Sequence, residues 1–122
     1  ITLREHGARS PIDGTLSNRL GFFLHFLHRS GVYFRSIHFG NIVLTPDNRI
    51  GLIDVADMRF SKGSLTTARR VRNLRHFFRH HSDAEMLAPV SDCFLDTYCR
   101  HARLSQHGEK RFRRHFNSYL IS

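Results

Sequence analysis

Two short apolar runs separated by a turn limit the possible folds of this chain more than any other feature of its sequence. The runs are residues 42–44 and 50–53, and the residues between them include Pro46, Asp47 and Asn48. Pro, Asp and Asn favour tight turns, so this stretch predicts a small β-hairpin. Because an isolated two-stranded hairpin is only marginally stable in water, it must pack against other elements.

The segment before the hairpin is predicted to be helical. Its apolar residues recur at the spacing of one helical face, and Gly31 provides a stop signal. The face consists of Leu16, Leu20, Phe23, Leu24 and Leu27. Phe22 and Phe26 widen it, which predicts a helix buried on more than one side. Residues 1–15 carry scattered glycines and a proline in a polar setting and are predicted to be irregular.

Three further helices are predicted after residue 60. The inward face of the first comprises Leu65, Ala68, Val71, Leu74 and Phe78. Its opposite face is rich in arginine and comprises Arg69, Arg72, Arg75 and Arg79. The second helix begins near Ser91 or Asp92, and the third carries Phe112, Phe116, Tyr119 and Leu120. The sequence therefore predicts one α+β domain over residues 1–122, mainly α, with a short hairpin and about four helices.

The composition restricts the partners and excludes disorder. A hydrophobic content of 40% with eleven Phe is enough to form a core. The net charge is +9, and Lys62 and Lys110 are the only lysines, so the positive charge is almost all arginine. Guanidinium groups pair bidentately with phosphate, which favours nucleic acid, anionic lipid or phosphorylated sugar as partners. Cys93 and Cys99 lie six apart on one predicted helix, too far for a disulfide, which predicts free thiols and a reducing compartment.

A polar loop before the hairpin and an aspartate after it form the motif that indicates a possible catalytic activity. The two parts are Phe34-Arg-Ser-Ile-His-Phe-Gly-Asn41 and Ile50-Gly-Leu-Ile-Asp54. They resemble the catalytic loop, His-x-Asp-Leu-x-x-x-Asn, and the metal-binding loop of the protein-kinase-like superfamily. The resemblance implies a kinase C-terminal lobe in which Asn41 and Asp54 bind magnesium and, through it, ATP. It places Ser36 where the catalytic aspartate is expected.

The wider sequence is similar to one branch of that superfamily. His38-Phe-Gly-Asn41 resembles a segment of aminoglycoside-phosphotransferase-like kinases, and the flanking residues look closer to bacterial lipopolysaccharide core kinases, the Kdo kinase and WaaP-like group. This resemblance implies phosphotransfer to an inner-core sugar of lipopolysaccharide, an anionic glycolipid. It also implies a cytoplasmic protein that associates with the inner face of the inner membrane.

Two departures from the family pattern reduce the expected activity. Ser36 has an alcohol-like hydroxyl that is no base near neutral pH, and Phe34 replaces a polar loop anchor with an apolar side chain. His38 is a candidate substitute base. A glycine-rich loop and strand lysine have no counterpart before Lys62, so we expect this chain to be a fragment that lacks the N-terminal lobe.

Other interpretations remain open. One is a catalytically silent kinase-like module that binds a partner or an anionic glycolipid, and another is a basic nucleic-acid-binding domain. His76 and His80 have the i, i+4 spacing of zinc ligands but lack an obvious third ligand. Asp57 is predicted to be a solvated loop acid.

Overall fold

A computed structural model describes residues 1–121 as six α-helices and two pairs of short strands. The helices are α1 (Leu3–Arg9), α2 (Gly14–Arg29), α3 (Thr67–Phe77), α4 (His81–Leu87), α5 (Ser91–Ala102) and α6 (Gln106–Ile121). The strands are β1 (Val32–Phe34), β2 (Ile42–Leu44), β3 (Ile50–Leu52) and β4 (Met58–Phe60). Short 3₁₀ turns cover Phe39–Asn41, Val55–Asp57 and Ala88–Val90. The predicted α+β class, dominated by helices, is confirmed, with six helices in the described residues rather than about four.

The predicted hairpin is formed by β2 and β3. Ile42 lies opposite Leu52 and Leu44 lies opposite Ile50 in an antiparallel register. In the turn, Asn48 has a positive φ of 65°, a conformation that Asn tolerates better than most residues. A second antiparallel pair, β1 with β4, was not predicted because three-residue strands leave almost no periodic signal. Along the chain, the first motif loop lies between β1 and β2, and the second lies between β3 and β4.

Helix α2 is confirmed, but its packing differs from the prediction. It begins at Gly14, where Asp13 caps it by accepting from the Leu16 N–H, and it ends at Arg29. Phe22 and Phe26 are 45% and 52% exposed, so the prediction that these two residues widen the buried face is wrong. The second buried row consists of small and polar residues, Ser17, Gly21, His25 and His28.

Helices α2 and α5 pack closely, and this explains why small residues occupy that row. A Cβ atom on Gly21 would lie 2.3 Å from the backbone oxygen of Phe94 in α5. Only glycine allows this approach. Because the two helices are so close, the Ser17 hydroxyl donates to the Val90 carbonyl at 2.7 Å. These contacts hold α2 directly against α5.

Two helices were missed by the sequence analysis. Residues 1–15 are not irregular, because α1 forms there with a reciprocal cap between Thr2 and Glu5. Helix α4 is also new. Both have seven residues, too short for a clear hydrophobic period, and packing rather than intrinsic propensity stabilises them.

The three predicted C-terminal helices are confirmed as α3, α5 and α6, with one error in the inward face of α3. Ala68 is exposed, whereas Arg70 is 3% exposed. The Arg70 guanidinium donates to the Leu65 carbonyl at 2.9 Å and to the Tyr98 hydroxyl at 3.1 Å. Because those bonds satisfy part of the buried guanidinium, arginine replaces an apolar residue there.

Aromatic rings fill the core between α3, α5 and α6. Tyr98 stacks on Phe112 with ring centroids 4.2 Å apart, and Phe94 stacks on Phe116 at 5.5 Å. Cys93 and Cys99 both lie on α5 and are free thiols, as predicted. Within residues 1–121, no helix combines the length and the apolar character needed to cross a bilayer.

We expect the stability to fall in acid because His28 is buried in its neutral form. Burial lowers the pKa of His28 from 6.5 to about 3. Between these values the unfolded chain binds a proton that the folded chain excludes, so the free energy of unfolding decreases as the pH falls. The expected slope from this residue is about 1.4 kcal/mol per pH unit. Chemical denaturation at pH 6.5, 5.5 and 4.5 measures it.

The matched comparison uses two histidine substitutions. His28→Gln removes this titration and is expected to reduce the slope by about that amount, although it weakens bonds to Tyr98 and Asn73. His107→Gln removes an exposed imidazole and is expected to leave the slope unchanged. Equal slopes in all three proteins would contradict the buried neutral state of His28.

Candidate active site

The motif loop, residues 34–41, is held from beneath by a chain of buried hydrogen bonds. Asn73 of α3 donates through its side-chain amide to the Phe34 carbonyl at 2.9 Å. The Asn73 side-chain oxygen lies 2.8 Å from His28 Nε2, and His28 Nδ1 lies 2.6 Å from the Tyr98 hydroxyl. Because neutral imidazole has one donor and one acceptor, Nε2 donates to Asn73 and Nδ1 accepts from Tyr98. These bonds connect the loop to α2, α3 and α5.

Two apolar side chains fix the loop in the core. Phe34 and Ile37 are both fully buried, and the Ile37 N–H donates to the Phe34 carbonyl at 3.2 Å. Phe34, which stands at the position of the motif histidine, therefore anchors the loop by packing. Between these anchors, Ser36 is half-buried and faces the neighbouring loop.

Asn41 joins the two motif loops. Its side-chain amide donates to the Ser36 carbonyl at 3.0 Å, which closes the first loop. Its own carbonyl accepts from the Ile53 N–H at 3.0 Å, which holds the second loop against the first. The hairpin makes this possible because β2 and β3 return the chain to where it started. Asn41 and the residue before Asp54 are thus brought together although twelve positions separate them.

Asp54 takes an unusual backbone conformation at the end of the hairpin. Its φ and ψ are 56° and 51°, in the left-handed region, where few residues other than glycine occur. Its carboxylate is exposed and makes no capping bond. Such conformations concentrate at functional sites, where the surrounding structure holds them.

Asn41 and Asp54 have the chemistry that a magnesium ion requires. In the part of the chain that the structure describes, no hydrogen bond donor reaches the Asn41 side-chain oxygen or the Asp54 carboxylate. Amide and carboxylate oxygens are hard ligands, and magnesium usually takes one or two protein ligands together with water and phosphate oxygens. The donor set fits such an ion. Residues 1–121 contain no group of three or more His, Cys, Asp or Glu placed to hold a metal by themselves.

Ser36 is paired with a carboxylate that the sequence analysis misjudged. The Ser36 hydroxyl donates to Asp57 Oδ2 at 2.5 Å, and Asp57 Oδ1 is buried with no hydrogen bond partner among the described residues. The prediction that Asp57 is a solvated loop acid is therefore wrong. The left-handed turn at Asp54 and the following 3₁₀ turn direct Asp57 back towards Ser36. Its position three residues after Asp54 was the only sequence signal.

His38 has the contacts of a loop-holding residue. Its Nδ1 accepts from the Gly40 N–H at 3.1 Å and from Arg4 Nη2 at 3.2 Å. The neutral ring therefore carries its proton on Nε2, 3.4 Å from the Asn41 amide nitrogen. Burial, and then the charges of Arg4 and His80, lower the pKa of His38. Both donors use the lone pair on Nδ1, which is the lone pair that a base would need. The role of His38 as a base therefore stays a prediction.

A buried ion pair that the sequence did not suggest supports the loop from the other side. Asp83 of α4 is fully buried and accepts from Arg4 Nε at 2.9 Å and Nη2 at 2.8 Å. It also accepts from the Phe39 N–H at 3.2 Å. One carboxylate thus ties α1 and α4 to the motif loop. The two helices that the sequence analysis missed are the ones that supply this support.

Three further basic side chains, those of His76, His80 and Arg79, lie near the loop. His76, whose spacing from His80 is that of zinc ligands, has one ring nitrogen 3.1 Å from the Tyr33 hydroxyl and the other 3.0 Å from Arg79 Nη2. His80 packs edge-on against the His38 ring at 5.0 Å. Arg79, which follows α3, donates to the Arg35 carbonyl at 2.9 Å, so the row of arginines that begins on α3 ends beside the motif loop.

Comparisons with known proteins give no independent assignment. No protein-family model matches the chain, and no curated protein matches it significantly.

Proposed function

We propose that this chain is the C-terminal lobe of a kinase-like phosphotransferase that transfers phosphate from ATP to a lipopolysaccharide inner-core sugar. The observation that carries the proposal is the 3.0 Å bond from the Ile53 N–H to the Asn41 carbonyl. This bond joins the loop that contains Asn41 to the loop that contains Asp54, which supports a shared magnesium site of the kind that the kinase motif implies. The preceding helix, the loop, the hairpin and the following helices occur in the order that the motif implies.

Asn41 and Asp54 would hold magnesium, which neutralises charge on the transferred phosphate when it is bound. The protein residues fix the ligand positions in advance. Asn41 is held by its bonds to Ser36 and Ile53, and the left-handed backbone at Asp54 presents its carboxylate to solvent. Such positioning supplies much of the catalysis in phosphoryl transfer, because the protein takes little part in the covalent chemistry.

Asp57 supplies a proton acceptor that Ser36 lacks. In this mechanism the acceptor sugar hydroxyl gives its proton to Ser36 Oγ while the Ser36 proton moves to Asp57 Oδ2, 2.5 Å away. Ser36 is regenerated, Asp57 becomes neutral, and the sugar oxygen is free to attack phosphorus. The relay is longer than direct transfer to an aspartate in the loop, so a reduced rate is expected.

The arginines near the loop fit an anionic acceptor. Arg35, Arg72, Arg75 and Arg79 are exposed, and Arg79 contacts the motif loop directly. Guanidinium groups there would bind phosphates of the lipopolysaccharide core and attract the protein to anionic headgroups at the inner face of the inner membrane, by about 1 kcal/mol for each basic residue near the surface.

A second candidate is a kinase-like module that binds the glycolipid without turnover. The serine at the position of the catalytic aspartate favours it, because no family base is present. The two candidates differ in one result: the active enzyme transfers labelled phosphate from ATP to purified lipopolysaccharide core, and the silent module binds the core without transfer.

The test of the first candidate uses the full-length gene product and varies magnesium. Asp54→Asn removes one negative charge from the ligand set, so the magnesium concentration for half-maximal phosphotransfer is expected to rise by about tenfold or more. Asp47→Asn makes the same change in the exposed hairpin turn and is expected to have no effect on it. Equal magnesium dependence in both variants, or no transfer in the parent protein, would refute the proposed activity.

A further inference from the structure

A cavity separate from the motif loops is lined mainly by basic residues. It has a volume of about 590 Å³ and lies where the ends of α2 and α5 meet the start of α3. Its walls are His25, Arg29, Ser64, Arg70, Arg100, His101, Ala102 and Arg103. Four of these eight residues are arginine and two are histidine, and none is acidic. The proposed phosphotransfer uses none of them.

The positive charge in the cavity is uncompensated. In the described part of the chain, the salt bridges of arginine involve Arg4, Arg49 and Arg113, none of which lines the cavity. Arg70 is buried, and its hydrogen bonds go to a backbone carbonyl and a neutral hydroxyl. Four guanidinium groups thus share one concavity without a carboxylate.

The dipoles of the neighbouring helices offset only part of this positive charge. Helices α2 and α5 end at the cavity, and basic residues commonly stabilise helix C-termini. Each terminus carries about half a negative charge, so the two together offset about one of the four arginines. About three positive charges remain, which is more than these helix ends need.

His25 lies in the same electropositive environment. It is 4% exposed, and its Nδ1 is buried without a hydrogen bond partner among the described residues. Burial, followed by the charges of Arg70, His101 and Arg29, lowers the pKa of His25 to about 4. The wall of the cavity therefore holds a neutral imidazole with unused hydrogen-bonding capacity beside several permanent cations.

We propose that this cavity binds a phosphate monoester. A monoester carries nearly two negative charges and three acceptor oxygens, which suits several converging guanidinium groups better than a single carboxylate does. The site is a concavity between helices, so the convex backbone of a nucleic acid duplex does not fit into it, whereas a terminal phosphate does. The phosphate could be carried by a soluble sugar or by a lipid, and the two sources are separable by experiment.

Calorimetric titration at constant ionic strength tests the site with inorganic phosphate and glucose 6-phosphate. Sedimentation with phosphatidylcholine vesicles, with and without phosphatidate, tests the lipid source. We expect one saturable site, and Arg29→Gln/Arg100→Gln should weaken it by about tenfold or more because charge-assisted bonds are lost. Both arginines are exposed, so the variant is expected to fold. If circular dichroism shows otherwise, Arg103→Gln takes its place.

The control is Arg9→Gln/Arg114→Gln, which removes the same charge from exposed positions that lie outside the cavity and outside the arginines near the motif loop. It should change phosphate affinity by no more than about twofold. Saturable binding of glucose 6-phosphate assigns a soluble ligand, and binding only to phosphatidate vesicles, lost in the cavity variant, assigns a lipid. No saturable binding of any probe, or an equal loss in the two double variants, overturns the proposal.

Discussion

Asp57→Asn is expected to lower phosphotransfer by the full-length gene product by about 10²- to 10⁴-fold, the range typical of a lost proton acceptor. Ser36 Oγ donates to the Asp57 carboxylate at 2.5 Å, and an amide at that position keeps the shape of the side chain without its basicity. The rate is measured as transfer of labelled phosphate from ATP to purified lipopolysaccharide core. Thermal unfolding of the variant, measured in parallel, separates lost chemistry from lost structure.

A carboxylate swap sharpens this prediction. Ser36→Asp/Asp57→Asn moves the proton acceptor to the position that the kinase motif assigns to it, and we expect it to recover a large part of the lost rate. Ser36→Asp alone places two carboxylates in contact, and their repulsion raises the pKa of one of them. A folded Asp57→Asn protein with the parent rate would rule out the relay. A swap that fails to exceed the rate of Asp57→Asn would do the same.

Asp83→Asn is expected to reduce the free energy of unfolding by about 3 kcal/mol, at the lower end of the range for breaking a buried ion pair. Asp83 is fully buried and accepts from Arg4 twice and from the Phe39 N–H. An amide at that position turns donors towards the Arg4 guanidinium. The Arg4 side chain is 36% exposed, so water partly solvates it, which keeps the loss at that lower end. Denaturant titration at neutral pH gives the value.

Asp96→Asn is the matched control because it makes the same chemical change in an exposed pair. The Asp96 side chain is 66% exposed and pairs with Arg113 at 2.9 Å. Exposed pairs contribute about 0 to 1 kcal/mol, so the loss should be small. Similar losses in the two variants would show that Asp83 does not hold α1 and α4 to the motif loop. A large loss for Asp83→Asn should be accompanied by weaker magnesium-dependent transfer.

The elements that the sequence analysis identified are those whose signal is local. Helix α2 has a complete apolar period and a stop at Gly31, and the hairpin has a Pro-Asp-Asn turn between two apolar runs. Helices α1 and α4 and the pair β1 with β4 were missed because each is too short to complete a period. The burial of Arg70 was not predicted for a related reason. Hydrophobic periodicity counts only apolar residues as buried, so it does not detect a guanidinium group whose hydrogen bonds go to a carbonyl and a hydroxyl in the core.

The candidate site divides in the same way. Ser36, His38, Asn41 and Asp54 were identified from the sequence because they lie within two continuous motifs. Asp57 was misjudged because its importance comes from a contact with a residue 21 positions earlier. The ion pair of Asp83 with Arg4 was not predicted because 79 positions separate the two residues. Nothing in the residues near either partner indicates the other.

The sequence by itself therefore determined the α+β class, the hairpin and the order of the motif residues, since turn chemistry and helical period act between near neighbours. Only the tertiary structure decided which side chains support the loop and which carboxylate lies beside Ser36. It also decided that three arginines from three helices, together with Arg103 just after α5, line one cavity. Those relations depend on how helices pack, and packing brings together residues whose separation along the chain carries no pattern.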